Sequence, residues 1–318
     1  MKKLFTYFFI VVGVYTYKAQ QFPQYTQFLF NKIGYNPAAS GTVARVPFEL
    51  VFGGRTQWIG ISNNPKSAFI SANYNFVPKR SYKRWHNVGV YLAQDQNGVY
   101  KQNDYWLSYT IHMLASARWL LSAGVFVGAK QYSLEKSKFD LNDPAVSSSA
   151  GSVWAIPDVV PGVRLTNRKF FWDMAIQHAS VWSRRGIGGT IGTPSRIALN
   201  YNTSIGTKLK INDFDNLVFS VNAKGAFTSI PNFELNIMNY YNKRLALGMS
   251  LRMNNFICGI VQFRLLHNWN VGFAYDLSIN KLLKTNPNTV EVMVSFTPVF
   301  GGEVIQKATK YSVSECAF

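Results

Sequence analysis

Four histidines and a scatter of serines are the first residues that hydrolytic chemistry would need in this 318-residue chain. His178 stands two residues before Ser180, and His112 lies near Ser108 and Ser116. A hydrolase needs such a nucleophile beside a base, together with a third group that orients the base. None of these serines sits in a nucleophile motif, and His86 and His267 stand apart, so the sequence predicts no catalytic residue and no enzyme. Neither HExxH nor CxxC occurs and the histidines lack ligand spacing, so no metal is expected. Gly186, Gly188 and Gly189 lack the Lys-Ser/Thr pair and the strand-to-helix setting of a phosphate-cradling loop, so no cofactor is expected either. Cys258 and Cys316, the two cysteines, do not make a disulfide framework.

The elements that would carry any site are more informative. Leu245, Leu247, Met249, Leu251 and Met253 interleave with Ala246, Gly248, Ser250, Arg252 and Asn254. Trp269, Val271, Phe273, Tyr275 and Leu277 do the same with Asn270, Gly272, Ala274, Asp276 and Ser278. Period two sends one set to each face of a strand, whereas a helix would mix them. Such segments recur about fourteen times, which is the pattern of an all-β transmembrane antiparallel barrel with apolar residues to lipid and polar ones to the lumen. The first opens at Phe48, the second covers Ala68 to Phe76, and the rest centre on Val90, Tyr109, Val125, Val163, Met174, Tyr201, Val221, Ile237, Met249, Val261, Phe273 and Val294.

Composition agrees. Aromatic residues make up 15% of the chain and charged residues only 15%, against about 25% in soluble domains. Mean hydropathy is nevertheless −0.03, far below that of a helical membrane protein. After residue 19 no stretch approaches the ~20 unbroken apolar residues of a spanning helix. Residues 1–19 read as a signal peptide, with Lys2 and Lys3 before an apolar run from Leu4 to Val14 and Ala19 at the cleavage point. The formal net charge of +18 is dispersed over strands and turns and not gathered in a stripe, which argues against a nucleic-acid partner. Outer-membrane lipid is the expected surroundings.

Connections alternate in length, as short periplasmic turns and longer external loops do. Tight reversals are expected at Ala115–Ser116, Asn167–Arg168, Asn242–Lys243 and His267–Asn268. Long external loops are expected at 132–156 and at 179–194, the latter with Arg184 and Arg185. The segment 77–87, with Lys79, Arg80, Lys83 and Arg84, reads as an unusually long periplasmic turn and a contact surface for a partner. The barrel is expected over 47–300, followed by a periplasmic tail over 301–318. Residues 20–46 form an N-terminal extension that is expected to fold into the lumen as a plug. The predicted inward set is polar: Glu49, Arg55, Gln57, Asn73, Asp104, His112, Lys130, Arg164, Asp173, Gln177, Lys224, Glu234, Arg252, Gln262, Arg264, Asp276 and Glu291. Both signs of charge face the lumen, which favours a cross-linked interior over a single-sign filter.

The segment Gln24-Tyr25-Thr26-Gln27-Phe28-Leu29-Phe30-Asn31, followed by Asn36-Pro37-Ala38-Ala39-Ser40-Gly41, resembles the opening of the PorP/SprF family. The likeness continues through Arg55-Thr56-Gln57-Trp58-Ile59-Gly60 and Pro65-Lys66-Ser67, then Asp143-Pro144-Ala145, Pro157-Asp158 and a strand ending at His178. It marks Gln24, Gln27, Asn31, Asn36, Pro37, Arg55, Gln57, Trp58 and Pro65 as family-motif positions. What the resemblance implies is a multi-pass component of the type IX secretion system in the cell outer membrane. Its partners would be cargo bearing a C-terminal sorting domain and other type IX components in the periplasm and outer membrane, with a link to gliding motility in some members. The rival reading from the barrel alone is a porin or hydrophobic-ligand transporter with an N-terminal plug.

Overall fold

A computed structural model describes residues 24–79, 81–134, 153–179, 198–212, 214–227, 229–242, 244–253, 256–266, 268–279, 288–299 and 310. The signal-peptide residues, Arg80, Arg184, Arg185, Cys316 and the tail save Lys310 lie outside them.

Alternating segments become strands because in hydrocarbon every backbone N–H and C=O must be bonded within the protein, and a closed ladder does this without leaving an edge. Fourteen strands are present among the described residues. They are β1 Phe48–Ile59, β2 Lys66–Phe76, β3 Arg84–Asn97, β4 Tyr100–Leu114, β5 Leu120–Leu134, β6 Val153–Thr166 and β7 Phe170–Gln177. The second half comprises β8 Asn200–Lys210, β9 Asn216–Ala226, β10 Asn232–Tyr241, β11 Leu245–Arg252, β12 Phe256–Leu265, β13 Trp269–Ser278 and β14 Asn288–Phe296. Each pairs antiparallel with its sequence neighbour, and β1 pairs with β14 from Leu50↔Phe296 to Thr56↔Val290, closing the barrel. All fourteen expected segments are strands.

Facing follows the alternation. Leu245, Leu247, Met249 and Leu251 are exposed on the outside of β11, while Ala246, Ser250 and Arg252 are buried. The even strand count puts the start of β1 and the end of β14 at one end of the cylinder. That end carries the turns 77–83, 115–119, 167–169, 211–215, 242–244 and 266–268, and the other carries the three longest connections, 135–152, 178–199 and 279–287. Two links at the long-loop end are also short, 98–99 and 253–255. The first is possible because Gly98 adopts φ 63°, the left-handed conformation that a two-residue hairpin requires at its first central position.

Several expected boundaries move. β5 continues to Leu134 and β6 begins at Val153, so the loop expected at 132–156 is confined to 135–152. The connection expected at 179–194 runs over 178–199. Arg84 belongs to β3, paired with Met113, and not to the 77–87 turn, because the β3–β4 ladder stays in register to that depth. Pro157 and Pro161 lie inside β6, where they still face Ala129 and Val125 of β5.

Residues 24–46 contain a four-residue helix, α1 (Lys32–Tyr35), and a 3₁₀ turn at Pro37–Ala39. Asn31 caps the first, its side chain accepting from Gly34 N, and Asn36 caps the second, accepting from Ala38 N, with Pro37 at the position where a missing N–H costs nothing. Hydrogen bonds from this segment reach β1, β3, β4, β6, β8, β13 and β14, on all sides of the ring, so it lies within the cylinder.

Candidate functional site in the lumen

The interior is built where the N-terminal segment meets the wall. Thr26 N donates to Glu291 Oε2 at 2.8 Å and Gln27 N to Oε1 at 2.9 Å, so one β14 carboxylate takes two successive backbone donors. Thr26 Oγ1 donates to Asp276 on β13 at 2.8 Å. Arg55, on β1, bridges the two acids, with Nη2 at 2.6 Å from Asp276 Oδ2 and Nη1 at 3.1 Å from Glu291 Oε2, and it also donates to Thr26 Oγ1 at 2.8 Å. Arg252 extends the cluster, 3.2 Å from Glu234 and 3.6 Å from Asp276. Lys224 lies 3.9 Å from Glu234 and over the Tyr35 ring. Glu234, Asp276 and Glu291 are each 0% exposed. Such carboxylates are tolerable only when hydrogen-bonded and paired, which this lattice of alternating charges provides.

Further pairs cross-link other parts of the wall: Arg164 with Asp173 at 2.5 Å, Lys130 with Asp104 at 3.4 Å, and His178 with Asp158 at 3.1 Å. The mixed-sign interior read from the sequence is therefore paired. Fourteen of the seventeen predicted inward residues are buried, and Glu49, Gln57 and Arg264 are half-buried.

The interior is not only polar, which corrects the expectation. Tyr25, Phe28 and Tyr35 pack into a buried aromatic cluster with Phe69, Tyr91, Trp106 and Phe126 of the wall. Tyr25 meets Phe69 edge-on at 5.2 Å, and Phe69 stacks on Tyr91 at 5.7 Å. Phe69 shares the inward parity of Ser67, Ser71 and Asn73 on β2, a signal available in the sequence. Tyr35 OH donates to Tyr25 O at 3.0 Å and accepts from Tyr25 N at 2.9 Å, and burial holds both phenols well above the usual range.

Two wall glycines make room for the 3₁₀ turn. A Cβ at Gly124 would stand 2.6 Å from Ala38 N, and one at Gly162 would stand 2.1 Å from Asn36 Oδ1. The Asn36 amide in turn donates to Val163 O at 2.9 Å, and Thr110 donates to Pro37 O at 2.8 Å.

The family-motif positions thus fall into two groups. Gln27, Asn31, Asn36, Pro37 and Arg55 converge in the lumen: Gln27 Oε1 accepts from Gln262 and the Asn31 amide donates to Tyr91 OH. Gln24 stands half-buried at the entry to the segment. Gln57, Trp58 and Pro65 sit instead at the β1–β2 hairpin, where Gln57 N donates to Pro65 O, Trp58 adopts φ 53°, and the β1–β14 register shifts as a bulge. Lys79 and Lys83 are exposed on the 77–83 turn, with Arg84 exposed at the foot of β3. Lys310 O accepts from Arg168 on the 167–169 turn at the same end of the cylinder.

His112 and His178, the histidines that stand nearest to serines in the sequence, meet no complete catalytic constellation among the described residues. His112 Nδ1 bonds Ser122 Oγ at 2.7 Å and the ring stacks on Trp85, fully buried. Ser108 and Ser116 are not its partners. No group of three or more His, Cys, Asp or Glu that could hold a metal is present among the described residues.

An even, closed antiparallel ladder with an apolar exterior and a largely polar wall inside defines an outer-membrane β-barrel. Solved barrels share this fold. The chain aligns with the toluene transporter TbuX of Ralstonia pickettii at TM-score 0.50 and 12% identity, over 84% of this chain and 92% of that one. It aligns with the CymD monoaromatic hydrocarbon channel at TM-score 0.52 and 10% identity, over 88% and 94%. No curated protein sequence matches. The family model described as "Type IX secretion system membrane protein PorP/SprF" matches residues 17–296, and the chain belongs to that family.

Proposed function

We propose that this barrel is a non-enzymatic outer-membrane component of the type IX secretion system that supports the secretion or surface attachment of cargo bearing a C-terminal sorting domain. In this reading residues 24–46 plug the lumen, so the barrel works as a docking body and not as a conduit. The observation that carries it is the anchoring of Thr26 and Gln27 on Glu291 inside the Arg55–Asp276 lattice. A solute crossing the lumen would have to break buried, charge-assisted hydrogen bonds, which are among the stronger polar interactions in a protein.

The long connections 135–152 and 178–199 would face cargo at the cell surface, where Arg184 and Arg185 fall. Lys79, Arg80, Lys83 and Arg84, with Lys307 and Lys310 of the tail, would meet periplasmic secretion components through their positive charge. Affinity purification from outer membranes tests this. The whole chain should bring down other type IX components, and a variant with Lys79, Arg80, Lys83 and Arg84 changed to Gln should lose the periplasmic ones. Unchanged capture would remove that surface from the account.

A second reading, transport of a hydrophobic ligand, is favoured by one feature, the aromatic-lined cavity bounded by Tyr25, Tyr91, Trp106 and Phe126. Conductance and ligand uptake separate the two.

A further inference from the structure

The outward face of β2–β5 changes character at one level. On β4 the outward run Tyr105, Leu107, Tyr109, Ile111 and Met113 covers about the nine residues that a tilted strand needs to cross the hydrocarbon. Toward the long-loop end the next outward positions are Asn103 and Lys101. The register sets Asn103 directly opposite Gln94 on β3 and Gln131 on β5, so three side-chain amides on adjacent strands lie in one row. One step below, Leu92 and Ala129 flank Tyr105; one step above, Lys101 stands between Gln96 and Ser133, and Gln96 faces Lys66 on β2. On β10 and β11 the outward positions instead stay apolar to their long-loop ends, at Phe233, Leu251 and Met253, all exposed. Strand length explains the difference: β3–β5 have 14–15 residues and continue past the lipid, whereas β10–β14 have 8–10 and end at it.

The row is bonded within itself in a way that leaves both kinds of hydrogen-bonding group over. Gln94 Nε2 donates to Asn103 Oδ1 at 2.9 Å, and Tyr105 OH donates to Gln131 Oε1 at 3.2 Å. A carboxamide has two N–H donors and a carbonyl acceptor, so these bonds leave the Asn103 and Gln131 NH₂ groups to donate and the Gln94 carbonyl to accept. A phosphodiester only accepts and would leave the Gln94 carbonyl unmatched. A sugar hydroxyl does both. The Tyr105 ring, 46% exposed at the foot of the row, adds a flat apolar surface with a polar tip, against which a sugar ring can pack.

From this register we infer that the long-loop rim of β2–β5 binds the saccharide headgroup of a glycolipid in the surrounding leaflet, through Gln94, Asn103 and Gln131. Continuity argues for that occupant. The amide row is the next step of the same face that meets acyl chains at Leu92, Leu107 and Val127, all exposed, so it stands level with the headgroups of those lipids. Lys66 and Lys101, one step further out, are placed for the phosphates that such headgroups carry. The inference rests on the long connections facing the cell exterior and is independent of the secretory reading.

Native mass spectrometry of the full chain tests it, after incubation in detergent with deep-rough lipopolysaccharide in one arm, lipid A in a second and phosphatidylglycerol in a third. The parent should retain lipopolysaccharide, lipid A or both about fivefold better than phosphatidylglycerol. Preference for lipopolysaccharide places the contacts on core sugars, and equal retention of the two places them on the lipid A glucosamines; both support the inference. A Gln94→Ala, Asn103→Ala, Gln131→Ala triple variant should lose the preference over phosphatidylglycerol, whereas Asn239→Ala, outward at the short-turn end of β10, should keep it. All four positions point away from the lumen, and heat-modifiable gel mobility confirms that each variant is folded. Indifference of the parent to headgroup, as would follow if another part of the chain covered the row, overturns the inference. So does full preference in the folded triple variant, which would leave Lys66 and Lys101 on phosphate as the whole attraction.

Discussion

Replacing Glu291 with glutamine changes almost no volume and removes the charge on which the N-terminal segment is hung. The carboxylate accepts from Thr26 N and Arg55 Nη1 on Oε2 and from Gln27 N on Oε1. A glutamine has one acceptor oxygen. Placed to keep Thr26 and Arg55, it turns its NH₂ toward the Gln27 N–H, so that two donors oppose each other. The loss is one hydrogen bond to a charged group, about 1.5–3 kcal/mol, together with a buried N–H left without its acceptor, about 1–3 kcal/mol. Relief of crowding between the Glu291 and Asp276 charges offsets part of this, leaving a net cost of about 3 kcal/mol. Spent on local opening, that is roughly a hundredfold. Hydrogen exchange with mass spectrometry on a peptide spanning residues 24–31, in detergent micelles, reads it directly. Exchange at Thr26 and Gln27 should accelerate about a hundredfold while the β10–β11 peptides stay protected. Acceleration under about threefold would refute the anchoring argument.

Three other outcomes follow from the same geometry. Gly162→Val places side-chain carbon where Asn36 Oδ1 now lies 2.1 Å from a Cβ position, and should free the 24–46 segment to limited proteolysis without changing the barrel's heat-modifiable mobility. Met249→Arg, on the exposed face of β11, should destabilise the folded barrel in lipid by about 2–4 kcal/mol in urea titration, whereas Met249→Leu should be near neutral. The Tyr25 and Tyr35 phenols are held above their ordinary value of 10.0 by burial, so the folded segment prefers them protonated. Their contribution is complete below pH 10 and is lost as pH rises above it, so segment protection should fall above pH 10 in the parent and less in Tyr35→Phe.

The barrel was legible because lipid forces a strict two-residue period on every strand, and Leu245–Arg252 or Trp269–Ser278 announce both element and facing. Period two reports which face a residue takes, not how deep in the barrel it sits. That is why Arg84 read as a turn residue although the ladder carries it into β3. It also does not report what lies across the lumen. Arg55 and Asp276 are 221 positions apart, and nothing local to either predicts their contact. The N-terminal segment has no period at all, since its backbone is held by caps at Asn31 and Asn36 and by wall acceptors, and only its family motif marked Gln27, Asn31, Asn36 and Pro37 in advance. Phe69 shows a signal passed over: an aromatic at an inward position is unusual in a watery lumen and implies something for it to pack on.

Single-channel recording on the purified full chain in planar bilayers bears most directly on whether this barrel is a plugged docking body. The parent should give no open steps, and a chain lacking residues 24–46 should conduct. Stable open steps from the parent, with the 24–46 segment in place, would contradict the account.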